Sequence, residues 1–318
     1  MPIQKFWRAA LIVLCLLPCA AMAQEKPIYP TRTYRYAQKD GQALYLDHYA
    51  PTPGSETAFD GVPKPTILYL FGGGFVNGTR DDAAALPWFK RLCDDGFNVV
   101  SIDYRLGMKD VKGFGILNTR PLSEAIQMAV EDLFSATVFL FDSRAATGID
   151  PTRIVLADSS AGAMTILQAD WLLANQDPCS DVLPEGFRYA GLMPFSGAVF
   201  SRKGKPAYRR GPSPTLLVHG TADKIVTYKS IRVLGQFLAG SKVLADIFAK
   251  HGANYGIIRY AGKKHEICVA MLKAYDEEMR FIRENVLQGQ KKIVDITVDD
   301  PSIVTPSWAD VGFNALYD

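Results

Sequence analysis

The chain has 318 residues, with 35 Lys and Arg against 33 Asp and Glu, and 48% of its residues are hydrophobic. That near-neutral balance offers no electrostatic footing for nucleic acid or an anionic membrane surface, and the apolar content excludes a disordered chain. There is no internal repeat, low-complexity tract or cluster of metal-ligand residues.

The first 23 residues read as a signal for export. Lys5 and Arg8 bracket the start of the apolar run Ala9 to Leu17, and Ala21-Met22-Ala23 before Gln24 has the small-x-small form of a cleavage site. The run is too short to span a bilayer, and no later stretch is long enough. The mature chain is therefore expected to be secreted or periplasmic, without membrane insertion. Cleavage leaves 295 residues with 33 charges of each sign. Cys19 invites a lipid-anchor reading, but Pro18 departs from the small residue usual there, which favours the site after Ala23. Cys93, Cys179 and Cys268 remain, an odd number that requires at least one free thiol or an intermolecular bond. The oligomeric state is not legible.

Tyr34 to Ala37 and Ala43 to Tyr49 alternate around Asp40-Gly41 and predict an antiparallel hairpin. Thr66 to Leu70 is a continuous apolar strand that runs into Phe71-Gly72-Gly73-Gly74-Phe75. A helix is predicted over Asp82 to Asp95. The strand Val100 to Ile102 then leads into Asp103-Tyr104-Arg105-Leu106, and a second helix covers Pro121 to Phe141, with proline suited to its first turn. Arg153 to Ala157 is β-branched and apolar, and passes through Asp158-Ser159-Ser160-Ala161-Gly162 into a helix over Ala161 to Ala174. Leu192 to Ser196 and Thr215 to Val218 are further strands, the latter opening into His219-Gly220-Thr221-Ala222-Asp223. Helices are predicted at Ser230 to Ala239, Val243 to Lys250 and His265 to Val286, with the strand Gly256 to Tyr260 before the last. Strands alternating with helices make an α/β protein with a central, mostly parallel eight-strand sheet and helices on both faces. Residues 24–288 form the expected domain, and 289–318 a tail that packs on it.

A serine on a strained strand-to-helix turn is presented at a helix N-terminus, where N–H groups and the dipole favour negative charge. With the glycine loop before it and the acid and histidine after it, each at a strand end, the chain resembles the α/β-hydrolase superfamily. Within it, the likeness is to small carboxylesterases with an His-Gly-Gly-Gly loop and a Gly-x-Ser-x-Gly elbow, over roughly Pro65 to Val286. The resemblance implies Ser160 as nucleophile, Asp223 as acid and His265 as general base, with oxyanion donors from Gly73, Gly74 and Ala161, and no cofactor or metal. It also implies that Asp103-Tyr104-Arg105-Leu106 supports the oxyanion loop.

The chain departs from that pattern twice, with Asp158 in place of the first elbow glycine and Phe71 in place of the loop histidine. Asp158 at a tight junction is expected to be hydrogen-bonded, with Arg105 or a tyrosine as donor. A register one residue earlier makes Ser159 the alternative nucleophile. No Asp or Glu lies between Phe187 and Ala222, which leaves Asp223 as the acid. Only His251 and His265 follow it, and His251 sits before Gly252 at a predicted helix end, an ordinary place for a cation. His219 and His48 are expected to have structural or neutral roles.

The connection from Gly197 to Pro214 is 18 residues, too short for a large lid domain, so the site is expected to be open and rimmed by Gly107 to Arg120. An exported esterase with an open site fits short-chain esters of small molecules or glycans, such as acetyl or feruloyl groups on polysaccharide. Two alternatives share these features: a serine peptidase of the prolyl-oligopeptidase type, and a silent hydrolase-fold binding protein.

Overall fold

The computed structural model describes residues 28–55, 61–112, 115 and 118–312. The expected signal segment lies outside these residues, as do 313–318. In chain order the elements are β1 (Arg32–Lys39), β2 (Gln42–Tyr49), β3 (Thr66–Leu70), α1 (Leu86–Asp94), β4 (Asn98–Ile102), α2 (Arg120–Asp142), α3 (Arg144–Thr147), β5 (Ile154–Ser159) and α4 (Ala161–Asn175). Then come β6 (Gly191–Phe195), β7 (Ala198–Ser201), β8 (Thr215–Gly220), β9 (Ser230–Val233), β10 (Gln236–Gly240), α5 (Ser241–Lys250), β11 (Tyr255–Tyr260), α6 (Tyr275–Phe281) and β12 (Val294–Val298).

The main sheet runs β1-β2-β4-β3-β5-β6-β8-β11-β12. The hairpin β1–β2 and the β2–β4 pair are antiparallel and the remaining pairs are parallel. Strands β3, β5, β6 and β8 are buried along their whole length, as the unbroken apolar runs require of a sheet covered by helices on both faces. The eight expected strands are all present, and the tail adds a ninth. Val294 to Val298 pairs in parallel with Gly256 to Tyr260 at the sheet edge.

Helix α4, directly after the elbow, is buried over nearly its full circumference. An all-round apolar helix needs cover on its outer side. The cover includes a small antiparallel sheet, β7-β10-β9. This sheet corrects the expected helix over Ser230 to Ala239. Leu234 and Gly235 both have positive φ, 47° and 81°, which is the two-residue turn that folds a strand back on itself. The expected long helix from His265 to Val286 is also broken. It becomes short 3₁₀ turns at His265–Val269 and Met271–Lys273, then α6, then a π-helical turn over Ile282–Leu287.

Candidate active site

β5 ends at Ser159, and Ser160 turns the chain into α4 with φ 51° and ψ −112°, a backbone conformation costly for a residue with a side chain. Two contacts hold it there. The Ser160 N–H donates to the Phe195 carbonyl at 2.9 Å, and the Ser160 carbonyl accepts from Met164 at 2.9 Å. Gly162 lets α4 lie against β3, because a Cβ at that position would run into the Leu70 carbonyl. Gly72 sits close above the turn, its would-be Cβ 3.1 Å from Ser159 Oγ and 3.2 Å from Ser160 Cβ.

The structure brings Ser160, His265 and Asp223 together. Ser160 Oγ is 2.8 Å from His265 Nε2, and His265 Nδ1 is 2.7 Å from Asp223 Oδ2. All three residues are buried. It is Ser160 that carries the positive φ and reaches the imidazole, while Ser159 lies beside it along the same cleft. Asp223 is held from four directions. Its Oδ1 accepts the N–H groups of Ile225 and Val226 at 2.9 and 3.0 Å, and its Oδ2 faces His265 and, at 3.3 Å, His219 Nε2. Burial opposes charge on Asp223, but the hydrogen bonds from His219 and His265 outweigh it and hold the carboxyl below its ordinary range. Burial likewise opposes charge on His265, and its neighbours Cys268 and Asp223 outweigh that, so the net direction for the imidazole is upward.

His219 is a positioning residue that the sequence left among structural roles. Its Nε2 also lies 2.9 Å from the Val226 carbonyl and its Nδ1 2.8 Å from Ser241 Oγ. A carbonyl and a carboxylate only accept, so Nε2 carries the hydrogen and Nδ1 accepts from the serine. The one sequence signal was its place four residues before Asp223, at the end of the same strand.

On the oxyanion side, the loop after β3 turns through Gly73 (φ 104°), Gly74 (φ 63°) and Phe75 (φ 62°). Asn77 packs so closely on Gly73 that a Cβ there would overlap its carbonyl. Gly73 and Gly74 line the cleft, and Ala161 is the first residue of α4, whose N–H has no carbonyl one turn earlier to meet. Backbone N–H groups placed in this way beside a nucleophile are able to stabilise an oxyanion. Phe71 is buried and stacked on Tyr104, with ring centroids 4.4 Å apart. The Tyr104 hydroxyl donates to the Phe71 carbonyl at 2.8 Å, so the Asp-Tyr-Arg-Leu segment props the loop from below.

Asp158 corrects one expectation. Arg105 is committed elsewhere, bonded to Asp132, Asp40 and Glu131, and no tyrosine hydroxyl among the described residues reaches Asp158. Instead the Leu70 backbone N–H donates to Asp158 Oδ1, while Oδ2 has no partner. The β3–β5 ladder stops at Leu68 and Leu156, and the Asp158 side chain bridges the gap where the two strands part. Full burial pushes this carboxyl well above its ordinary value, against the smaller effect of the Leu70 N–H.

The cleft encloses about 390 Å³. Gly72, Asn77 and Thr79 line it on the loop side, and Ile225, Val269 and Trp308 on the other. None of the described residues of 107–120, expected to rim it, takes part. Trp308, from the tail, takes that place, edge-on to His265 with centroids 6.4 Å apart. Sequence reasoning missed Trp308, Asn77 and Cys268, because they reach the site only through long-range folding. Cys93, Cys179 and Cys268 are all free thiols, and among the described residues no His/Cys/Asp/Glu group could hold a metal.

Known proteins place this arrangement. A family model described as BD-FAE matches residues 46–170, from β2 through most of α4. The chain is similar to an ethyl acetate hydrolase of Pseudomonas putida (29% identity over 140 residues, 44% of this chain and 38% of that one). It is also similar to a chlorogenic acid esterase of Aspergillus niger (32% over 125 residues, 39% and 23%). A third likeness is to esterase B1 of Culex pipiens (32% over 106 residues, 33% and 18%). The chain thus spans well under half the length of these relatives. Among solved structures, esterase Est2 of Thermogutta terrifontis superposes with a TM-score of 0.57 at 20% identity, covering 79% of this chain and 91% of that one. The strand order, the serine turn after β5 and this superposition agree: the chain has the α/β-hydrolase fold.

Proposed function

We propose that the protein is a serine carboxylesterase acting on short-chain carboxylic esters through an acyl-enzyme. The observation that carries this reading is the unbroken relay from Ser160 Oγ through His265 to Asp223. A serine hydroxyl is a weak nucleophile at neutral pH. His265 Nε2 takes its proton as Oγ attacks the ester carbonyl carbon, and Asp223 holds the imidazole in the tautomer that leaves Nε2 free to accept. The carbonyl oxygen gains charge, which the N–H groups of Gly73, Gly74 and Ala161 receive. His265 then gives the proton to the departing alcohol oxygen. A water molecule repeats the sequence on the acyl-enzyme and releases the acid. Losing one oxyanion donor typically costs about 3 kcal/mol.

The curated relatives named for ethyl acetate and chlorogenic acid support an ester, and the signal-like residues 1–23 support export into the periplasm or medium. The short connection between β6 and β8 leaves the cleft open, which suits acyl groups borne by small molecules or by glycans. Short-chain, long-chain, acetyl-glycan, feruloyl and arylamide substrates, assayed beside Ser160→Ala, test this. Ester turnover should fall by 10³-fold or more in the variant. A serine-directed phosphonate should label Ser160. Cleavage of arylamides in preference to esters, or a label on Ser159, would overturn the corresponding part of the reading.

A further inference from the structure

Four of the nine large apolar residues exposed among the described residues, Val269, Leu272, Val304 and Trp308, come from two short segments: the turns after His265 and the stretch after β12. Those segments are pinned together. Lys263 Nζ donates to the Ile303 carbonyl at 2.7 Å, Thr305 Oγ1 donates to Glu266, and Lys264 pairs with Asp310. Glu266 also accepts the Lys264 N–H at 3.0 Å, so one carboxylate ties both segments beside the imidazole. The result is that Trp308, half exposed, stands at the mouth of the cleft edge-on to His265, with its neighbour Val269 on the same wall. A large aromatic ring left half in water, on a fixed support at the edge of a cleft, offers apolar surface to a bound group.

Its position assigns the part of the substrate it meets. In ester cleavage His265 gives its proton to the alcohol oxygen, so the alcohol departs on the His265 side, away from the glycine loop that faces the carbonyl oxygen. Trp308 is on that side. Resting on the esterase reading, we infer that Trp308 determines specificity for the alcohol part of the ester, favouring alcohols that bear a ring with an apolar face over small open-chain ones.

The test compares phenyl acetate with methyl acetate, which share an acyl group, and methyl benzoate with methyl acetate, which share an alcohol, in the wild type, Trp308→Ala and Trp308→Phe. Trp308→Ala should lower the preference for phenyl over methyl acetate about fivefold, mainly through KM, with most of it restored in Trp308→Phe. The benzoate to acetate ratio should stay within twofold. An equal loss on all three esters would show Trp308 merely propping His265, and a change confined to the benzoate ratio would place it against the acyl group. Either result overturns the inference and leaves the esterase reading standing. A wild type inactive on every ester overturns both.

Discussion

Asp158 shows how one side chain can serve where a backbone ladder fails. Its carboxyl accepts the Leu70 N–H at the point where β3 and β5 diverge, two residues before Ser160 on one strand and, from Leu70, three residues before Gly73 in the loop after the other. Asp158→Gly orphans that buried N–H, at a cost of about 1–3 kcal/mol. The sign of the pH dependence follows from the raised pKa. Below the unfolded value both states hold the proton, whereas above it the folded wild type must stay protonated against rising pH and loses stability. The variant lacks that penalty. Its deficit should be greatest near pH 5 and shrink toward pH 8 in denaturant melts at both values. A deficit independent of pH would mean that Asp158 is ionised in the fold. Activity should fall much less than in Ser160→Ala, because β3 carries the oxyanion loop but not the reacting groups.

At the scale of elements, α6 meets α1 through a fully buried polar contact, beside the partly buried one of Tyr275 with Arg91. Trp88 Nε1 donates to Glu278 Oε2 at 2.9 Å, while Oε1 has no partner and burial pushes the carboxyl up to about 8. An acid raised in the fold contributes a penalty that grows between its unfolded value and its folded one. Glu278→Gln keeps an acceptor for Trp88 and removes the charge. It should raise Tm relative to wild type, little at pH 4.5 and by several degrees at pH 8, on the order of a few kcal/mol. A constant difference across pH would refute this. Arg105 is the opposite case. It and Lys39 are the cations on Asp132, which is fully buried, and Arg105 also pairs with Asp40 of the β1–β2 turn and Glu131 of α2. Arg105→Ala should cost about 3–5 kcal/mol, read by chemical denaturation.

These elements also mark how far sequence reasoning reached. The buried strands were legible because β-branched apolar runs between turn residues have few other uses. The strand ends carrying Ser160, Asp223 and the glycine loop were legible for the same reason. The hairpin β9–β10 was not, since its apolar spacing fits a helix until Leu234-Gly235 is read as a turn. The breaks after His265 were hidden because no glycine or proline marks them. They arise from contacts far away in the chain, with Asp223 and Ser160 on one side and Trp88 on the other.

For the whole molecule, the short β6–β8 connection and the β7-β10-β9 sheet leave the cleft without a large lid among the described residues. Activity on soluble and aggregated esters should therefore be continuous. A rate measured across the solubility limit of tributyrin should show no jump, and a sharp rise there would reveal a segment that opens at interfaces. The edge of the sheet and the catalytic cleft share one stretch of chain, since the tail that supplies β12 goes on to supply Trp308. No pattern in that stretch announces this, because its partners lie about 40 residues earlier, in β11 and the segment around His265.

This shared stretch has a consequence in time. During synthesis residues 294–310 follow every group of the relay, so a nascent chain holds Ser160, Asp223 and His265 before it holds the strand and the indole beside them. Released polypeptides truncated near residue 290 would expose the edge of β11 and leave one wall of the cleft unbuilt. They should react with a phosphonate slowly and without preference for ring-bearing leaving groups. Those that also contain residues 294–310 should show the selectivity of the intact protein. Assembly of the relay and completion of the cleft would then be separate events, the second waiting on the pairing of β12 with β11.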